Sequence, residues 1–472
     1  MQNYILTKRQ KGVKIQIVNA YKMTLCSDEL ISRRNMMELL NRKKTGKVER
    51  PVKVLQFGEG NFLRAFVDYM IDIANEQGKF NGDIVLVKPI EFGSLDRFHD
   101  QECQYTVQLR GIVDGEPKRI NRIVTSVADA VDAYGEYQKY ADYAKLDSLR
   151  YIVSNTTEAG IVYDDTDRLE MEPPKSYPGK LTKFLYERYK HFNGAMDKGL
   201  VMLPVELIDD NGIHLKECVE KLAVLWNLEE GFKTWLDEAC VFTSTLVDRI
   251  VTGYPRDEAE ELCKEFGYQD NLIVTGEPFA LWVIESAKDI SKEFPLPDAG
   301  LPVIFTDNQK PYKQRKVRIL NGAHTSFVLA SYLCGNDIVL ESMQDELIFN
   351  FMKATIFDEV IPTLTLPKQD LIDFAEAVIT RFNNPYVKHA LLSISLNSVS
   401  KWRARCMPSF LEYIKNEGKL PTHLTFSLAA LMAFYTGTEI RDKALIGHRD
   451  GTEYQILDDA AVLEFFAANS SN

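Results

Sequence analysis

The sequence predicts an α/β protein with an N-terminal Rossmann-like, doubly wound sheet and a mainly α-helical C-terminal domain. Short apolar strands alternate with helices from Val52 to Trp226, which indicates a mostly parallel sheet. Beyond Asn271 long helical runs replace this alternation. A chain of 472 residues is also too long for one ordinary core. We therefore expect a peripheral extension at residues 1–50, the sheet domain at 51–300 and the helical domain at 301–472.

The first half alternates apolar strands with amphipathic helices. The predicted strands are 52–57, 84–87, 151–154 and 200–203, and the predicted helices are 65–76, 134–144, 180–192 and 212–226. Two extended runs, 104–109 and 119–127, flank the turn residues Asp114 and Gly115, and this pattern predicts a β-hairpin.

The second half of the chain is predicted to be helical after two short extended segments. Those segments are 272–275 and 303–305, and the predicted helices are 322–334, 342–357, 368–381, 386–400, 408–417 and 424–436. The glycine at 335 is suited to the end of the first of these helices.

The first 50 residues are basic and join poorly to the first predicted strand. We expect a short helix near 27–41, and either Met23 or Met36 is an alternative start.

Composition and charge exclude several classes of function. The chain is 45% hydrophobic and 26% charged, with a formal net charge of -12, which disfavours a nucleic-acid partner but allows a local cationic pocket for one carboxylate. Its seven cysteines are widely spaced, which favours reduced thiols in a cytoplasm-like compartment over disulfides or a zinc ribbon. No apolar run is long enough to predict a membrane span, and the first residues do not resemble a secretory signal.

A glycine loop between the first strand and the first helix predicts a dinucleotide site. Gly58 and Gly60 occupy the first two positions of a G-x-G-x-x-G motif, where glycines let the backbone approach a pyrophosphate. The third glycine is replaced by Leu63, and Arg64 can supply a guanidinium to the phosphates instead. The alternative interpretation is a plain tight turn.

The end of the second strand does not choose between NAD and NADP. Val87 is followed by Lys88, and the first acidic residue is Glu91. Lys88 would favour a 2′-phosphate on electrostatic grounds.

An amine, a carboxamide and an imidazole occur together at Lys316, Asn321 and His324. On an α-helix with about 100° per residue, Asn321 and His324 share one face and Lys316 lies about 80° from His324. Such a trio can take a proton from an alcohol, hold the oxyanion and orient the base. The alternative is three unrelated polar residues at the start of a helix.

Nine sequence blocks in order resemble the mannitol dehydrogenase family of polyol-specific long-chain dehydrogenases. The blocks lie at 57–66, 154–158, 177–180, 203–212, 247–250, 277–279, 316–324, 381–385 and 396–402. The resemblance implies NAD as cofactor and hydride transfer without a metal. It implies that Lys316 is the general acid and base, that Asn321 binds the reacting oxygen and that His324 orients the substrate. Lys316 needs a lowered pKa for this role, to which Arg318 and bound nicotinamide can contribute.

The same resemblance implies a set of cofactor-binding residues: Phe57, Gly58, Gly60, Asn61, Phe62, Arg64, Asn155 and Asp248. One departure stands at Glu206 and Leu207, where mannitol dehydrogenases carry an aspartate followed by a second oxyanion asparagine. Asn155 can take the place of that asparagine.

We expect a sugar-acid substrate, because basic residues cluster where a neutral polyol would not need them. The predicted substrate-binding residues are Glu158, Arg318, Lys388, His389, Lys401 and Arg403, and Arg405 lies in the same cluster. An arginine binds a carboxylate best because it can form two parallel hydrogen bonds. Glu158 can relay a proton or cap a helix, and the basic residues can instead form a solvated helix face.

The sequence therefore predicts a reductase that interconverts a ketouronate and an aldonate, as a monomer or weak homo-oligomer without a nucleic-acid or membrane partner. A fructuronate reductase or a mannitol dehydrogenase of the same family is the nearest alternative. A dinucleotide-sensing protein without turnover is more remote, because it would not need the base Lys316.

Overall fold

A six-stranded parallel sheet forms the centre of the N-terminal half in the computed structural model, which describes residues 37–157 and 159–470. Its strands are β1 (Val52–Phe57), β2 (Asp83–Lys88), β5 (Val127–Asp132), β6 (Tyr151–Ser154), β7 (Val201–Pro204) and β8 (Val241–Phe242). Their order is β5-β2-β1-β6-β7-β8. This is the doubly wound Rossmann order, so the predicted fold class is confirmed.

Helices cover both faces of this sheet. The helices of the N-terminal half are α1 (Arg42–Thr45), α2 (Asn61–Leu63), α3 (Tyr69–Glu76), α4 (Asp96–Asp100), α5 (Tyr137–Asp142), α6 (Tyr177–His191), α7 (Asn211–Leu225), α8 (Glu230–Glu238) and α9 (Ala259–Phe266). A π-helical segment, Arg64–Asp68, joins α2 to α3. Side chains alternate along β1, so that Val54 enters the core on one face and Leu55 and Phe57 enter the core on the other.

The predicted hairpin is present as β3 (Tyr105–Val113) and β4 (Glu116–Val124). Asp114 and Gly115 both have positive φ, as a two-residue hairpin turn requires. The hairpin joins β10 (Val251–Gly253) and β11 (Val274–Gly276) in a second sheet. The predicted extended run 119–127 is too long, because β4 ends at Val124. Val127 begins β5, which was not predicted.

A third sheet connects the two halves of the chain. It contains β9 (Ser244–Asp248), β12 (Leu281–Glu285) and β13 (Val303–Thr306). Along β12, Trp282 and Ile284 enter an N-terminal core, whereas Leu281 and Val283 enter the C-terminal core. The predicted boundary at residue 300 falls between β12 and β13, and the division of the chain there stays a prediction.

The C-terminal half is mainly helical. Its helices are α10 (Lys310–Arg315), α11 (Gly322–Leu333), α12 (Val339–Gln344), α13 (Glu346–Ala354), α14 (Lys368–Phe382), α15 (Leu391–Ile394), α16 (Ser398–Arg405), α17 (Met407–Glu417), α18 (Thr422–Phe434) and α19 (Ala460–Asn469). Two π-helical segments, Lys316–Asn321 and Thr355–Val360, continue α10 and α13. The sequence missed a small sheet of β14 (Ile440–Arg441), β15 (Ala444–Arg449) and β16 (Thr452–Ile456).

The predicted helix at 386–400 is wrong. Residues 383–390 are not helical, and Asn397 adopts a left-handed conformation just before α16. This segment is fixed by tertiary contacts, since the amide of Asn384 donates to Arg110 O and Val339 N–H donates to His389 O.

The N-terminal prediction falls mostly outside the described residues, including Met23, Met36 and most of the predicted helix at 27–41. Residues 37–41 are not helical, and Leu39 forms a β-bridge with Gln269. None of the helices within the described ranges is long and apolar enough to cross a membrane.

Candidate active site

The glycine loop lies where the winding of the central sheet changes direction. Gly58 follows β1, and Asn155 follows the neighbouring strand β6. Gly58 has a φ of +116°, and a Cβ at this position would lie 3.2 Å from Asn155 O. Gly58, Gly60 and Asn155 line a cavity of about 440 Å³. In doubly wound sheets this is the position at which a dinucleotide binds.

The first turn of the helix after this loop leaves its backbone donors free for an anion. Gly60 is the N-cap and provides no side-chain hydrogen bond. Nothing lies within 4 Å of a Cβ built on Gly60, so a phosphate can approach the backbone. Asn61 is exposed at the first helical position and Phe62 is half-buried beside it, stacked on Phe66. The loop therefore fits a pyrophosphate at a helix N-terminus.

The prediction that Arg64 binds the phosphates needs correction. Its guanidinium is buried and donates to Glu59 O at 3.1 Å, to Asn61 Oδ1 at 2.8 Å and to Leu272 O. Because its donors are used by the protein, Arg64 shapes the glycine loop from inside.

Two further predictions at this site are also wrong. Phe57 is fully buried and packs against Tyr140 and Tyr177, so it belongs to the core. Lys88 is buried, pairs with Asp132 at 3.1 Å and donates to Ile90 O at 2.8 Å. Its amine is therefore not directed at the ribose and gives no preference for a 2′-phosphate.

The segment Lys316–Asn321 is a π-helix, which the sequence did not predict. Gly322 donates its N–H to Val317 O, five residues earlier. In an α-helix Lys316 and Asn321 would be about 140° apart. The wider turn of a π-helix brings the side chains of residues five apart, such as Lys316 and Asn321, closer to the same face of the helix. Such turns are frequent at functional sites.

Lys316, Asn321 and His324 line one cavity of about 250 Å³. Asp248, Glu277, Arg381 and His389 line it as well. The structure thus brings the three predicted catalytic residues together, with Asp248 beside them in the catalytic cleft rather than at the glycine loop.

The surroundings of Lys316 shift its amine towards the neutral form. Its amine donates to Val247 O at 2.8 Å and lies 3.9 Å from Asp248 Oδ1, with 17% of the side chain exposed. Burial lowers the pKa of Lys316, the carboxylate of Asp248 opposes this change, and the charge of Arg381 adds to it. Burial dominates, so the neutral amine is favoured relative to an exposed lysine.

Arg381 is the functional residue that sequence reasoning missed. Its guanidinium forms two hydrogen bonds to Asp248, at 3.1 and 3.0 Å, and two to Glu277, at 2.9 and 2.8 Å. It also stacks over Phe279 at 4.2 Å. The available signal was its position at the start of the block 381–385, which does not reveal two buried carboxylates on other elements.

Arg318 does not have the predicted role at Lys316. It lines a separate cavity of about 540 Å³ and makes a weak hydrogen bond to Thr363 O at 3.4 Å. Arg381 is the nearby cation that lowers the Lys316 pKa.

His324 lines the catalytic cavity, and its imidazole is shifted towards the neutral form. Its ring stacks on Phe382 at 4.1 Å, and its buried Nε2 has no hydrogen-bond partner among the residues described. Burial lowers its pKa well below the ordinary value, and the charges of His389, Arg381, Arg405 and Lys401 lower it further.

The loops after β6 and β7 contradict the expectation that Asn155 replaces a second oxyanion asparagine. Glu206 is buried and accepts hydrogen bonds from Thr156 N–H, Thr156 Oγ1 and Ser154 Oγ, so it anchors the loop after β6. Leu207 is 66% exposed and lines the 540 Å³ cavity. Asn155 lines the 440 Å³ cavity and does not take the place of a second oxyanion asparagine. Glu158 lies outside the described residues.

The predicted substrate-binding cations divide into two groups. Lys388 and Arg403 are exposed, and they neither line the catalytic cavity nor belong to the main charges that lower the pKa of His324, so the structure does not place them at the substrate. His389 lines the cavity, and Lys401 and Arg405 are half-buried within electrostatic range of His324.

Two family models match the chain. Residues 52–297 match the mannitol dehydrogenase Rossmann domain, and residues 308–462 match the mannitol dehydrogenase C-terminal domain. The chain is 46% identical over 432 residues to the altronate oxidoreductase of Yersinia enterocolitica, covering 91% of this chain and 87% of that protein. It is 47% identical over 433 residues to the altronate oxidoreductase of Pectobacterium atrosepticum, covering 91% and 88%.

Two solved structures share the fold. A D-sorbitol dehydrogenase in substrate-free form superposes with a TM-score of 0.76 and 20% identity, covering 92% of this chain and 91% of that chain. The Pseudomonas fluorescens mannitol 2-dehydrogenase, in a ternary complex with NAD and D-mannitol, superposes with a TM-score of 0.64 and 23% identity, covering 92% and 89%.

The two loop glycines should respond differently to alanine. Gly58→Ala should lower both thermal stability and NADH affinity, because the left-handed backbone strains a side chain by about 1–3 kcal/mol. Gly60→Ala should keep wild-type stability, because Gly60 is extended with free space around it, yet weaken NADH binding by blocking the phosphate approach. Thermal unfolding and NADH fluorescence titration measure the two effects. Wild-type NADH affinity in Gly60→Ala would show that the phosphates bind elsewhere.

Proposed function

Because the chain belongs to the mannitol dehydrogenase family, we propose that it interconverts D-tagaturonate and D-altronate by NAD-dependent hydride transfer. The substrate pair is suggested by the altronate oxidoreductases that resemble the chain over 91% of its length. One observation carries the chemistry: the buried amine of Lys316 shares a cavity with Asn321 and with the unpartnered Nε2 of His324.

The glycine loop supplies the groups that would hold NAD. The backbone of Gly58 and Gly60 and the N-terminus of the following helix would bind the pyrophosphate, with Asn155 on the facing loop. NAD supplies or accepts the hydride when bound. NAD is favoured over NADP because the amine of Lys88 is held by Asp132 and by the loop backbone.

Lys316 acts as the acid and base of the reaction. In the oxidation, its neutral amine takes the proton of the altronate hydroxyl, and in the reduction its ammonium returns a proton to the carbonyl oxygen of tagaturonate. Val247 O holds the amine in place through a 2.8 Å hydrogen bond. Proton transfer by a positioned side chain typically accelerates a reaction by about 10²–10⁴-fold.

Asn321 and His324 would bind the reacting oxygen and its neighbour. The amide of Asn321 can donate a hydrogen bond to the developing oxyanion, which stabilises charge best where water is excluded. His324 has a free Nε2 and a depressed pKa, so it can orient a substrate hydroxyl without adding a positive charge.

Removing the amine should separate binding from chemistry. Lys316→Ala should bind NADH with near wild-type affinity but reduce tagaturonate about 10²–10⁴-fold more slowly, because only the proton transfer is lost. Lys313→Ala is the matched control, since Lys313 lies one turn earlier and pairs with Asp209 outside the catalytic cavity. Stopped-flow NADH absorbance and fluorescence titration give the two quantities.

Unchanged turnover in Lys316→Ala would refute the assigned role. The same assay with fructuronate, fructose and NADPH tests the substrate and cofactor. Activity on fructose alone would end the sugar-acid assignment.

The pH profile should report the charges around Lys316. Asp248 raises the Lys316 pKa and Arg381 lowers it, so Asp248→Asn should lower that pKa further. Altronate oxidation needs the neutral amine, and the acidic limb of kcat/KM should therefore move to lower pH by about one unit. Asp370→Asn, an exposed change in the first turn of α14, is the control. A shift to higher pH would contradict this electrostatic arrangement.

A further inference from the structure

Three basic side chains, His389, Lys401 and Arg405, lie within electrostatic range of His324 and form no ion pair with the described residues. Lys401 and Arg405 are one turn apart on α16, and His389 lines the catalytic cavity with its ring 5.5 Å from that of His324. Among the described residues no carboxylate lies within 4.0 Å of these three groups. Asp458 is the acidic residue that favours the charge of Lys401, and it accepts hydrogen bonds from Tyr435 Oη and Val399 N–H instead.

Arg405 is connected directly to the start of the catalytic helix. Its Nη1 donates to Thr325 Oγ1 at 3.3 Å, and Thr325 Oγ1 donates to Asn321 O at 2.9 Å. The end of α16 also packs closely on this turn, since a Cβ on Gly322 would lie 3.4 Å from Arg405 O. Within the described part of the chain the bond to Thr325 is the one hydrogen bond of the Arg405 guanidinium, and it is a long one.

The cluster has an unbalanced positive charge. Burial lowers the pKa values of His389, Lys401 and Arg405, and repulsion from Lys401 adds to the shift at His389. The amine of Lys401 has a backbone acceptor, Ile394 O at 2.9 Å, which does not neutralise it. Half-buried cations without a counter-ion are unfavourable, and a bound anion would relieve that cost.

We propose that Arg405 and Lys401, together with His389, form the subsite for the substrate carboxylate, and that Arg405 selects sugar acids over neutral sugars. This inference rests on the proposed function, because it requires the reacting carbon to lie at Lys316. Arg405 suits the role because a guanidinium with a single long hydrogen bond to the protein can still form two parallel hydrogen bonds to one carboxylate.

The direct test compares a ketouronate with its uncharged amide. Wild-type enzyme should prefer tagaturonate over the corresponding uronamide, and Arg405→Gln should lose about 100-fold or more in kcat/KM on the acid alone, mainly through KM. Arg405→Lys should recover part of that loss because it retains the charge but not the bidentate geometry. Arg403→Gln, an exposed change on the same helix, should match wild type on both substrates.

A binding readout separates this inference from the proposed function. Inorganic sulfate, compared with chloride at equal ionic strength, should raise the Tm of wild type and Arg403→Gln but not of Arg405→Gln or Lys401→Met. Absence of ketouronate turnover in wild type, with this sulfate pattern intact, would overturn the proposed substrate and keep the anion site.

Equal losses on acid and amide, or equal sulfate stabilisation in all variants, would overturn the carboxylate subsite. If sulfate raises the Tm equally with and without NADH, and no variant reduces this rise, the result indicates an adventitious ion only.

Discussion

The candidate active site depends on how two cations and two carboxylates share one buried space. Arg381 binds both Asp248 and Glu277 through four hydrogen bonds, which neutralises the carboxylate nearest to Lys316. The charge of Arg381 also lowers the pKa of Lys316 directly and so opposes the effect of Asp248. Burial is the largest effect, and the Lys316 pKa falls. The same four hydrogen bonds join α14 to β9 and to Glu277, the residue after β11. The interactions that influence the Lys316 pKa therefore also hold the N-terminal and C-terminal halves of the chain together.

The fold places the remaining parts around these four hydrogen bonds. Strand β12 enters both the N-terminal and the C-terminal core, so the sheet that carries Asp248 is fixed to the helices that carry Lys316 and Arg381. The π turn at 316–321 then brings amine and carboxamide towards one line. On the other side of the sheet edge, Glu206 holds the loop after β6, whose residue Asn155 faces the glycine loop. The proposed cofactor and substrate sites thus rest on one connected set of strands and helices.

Local signals made the sheet domain predictable, and tertiary contacts made the rest hard to predict. Apolar periodicity and turn residues identify β1, β6 and the hairpin at Asp114, because each is decided by its own sequence. The strands β9 and β12 have only five residues each, and hydrophobic periodicity does not identify such short runs. A π turn adds one residue and leaves the spacing of apolar residues almost unchanged, so the sequence predicted an α-helix at Lys316–Asn321. The cation cluster could be located roughly, but sequence does not show that Arg403 faces solvent while Arg405 lies against Thr325.

Direct titration of one side chain tests this account. NMR of protein carrying ¹³C-labelled lysine, with the signal assigned by its loss in Lys316→Arg, gives the pKa of the Lys316 amine in the folded enzyme. The account predicts a pKa below that of an exposed lysine, because burial outweighs the attraction of the clamped Asp248. A pKa equal to or above that of the exposed lysines would show that the carboxylates hold the proton on the amine, and Lys316 would not be the base.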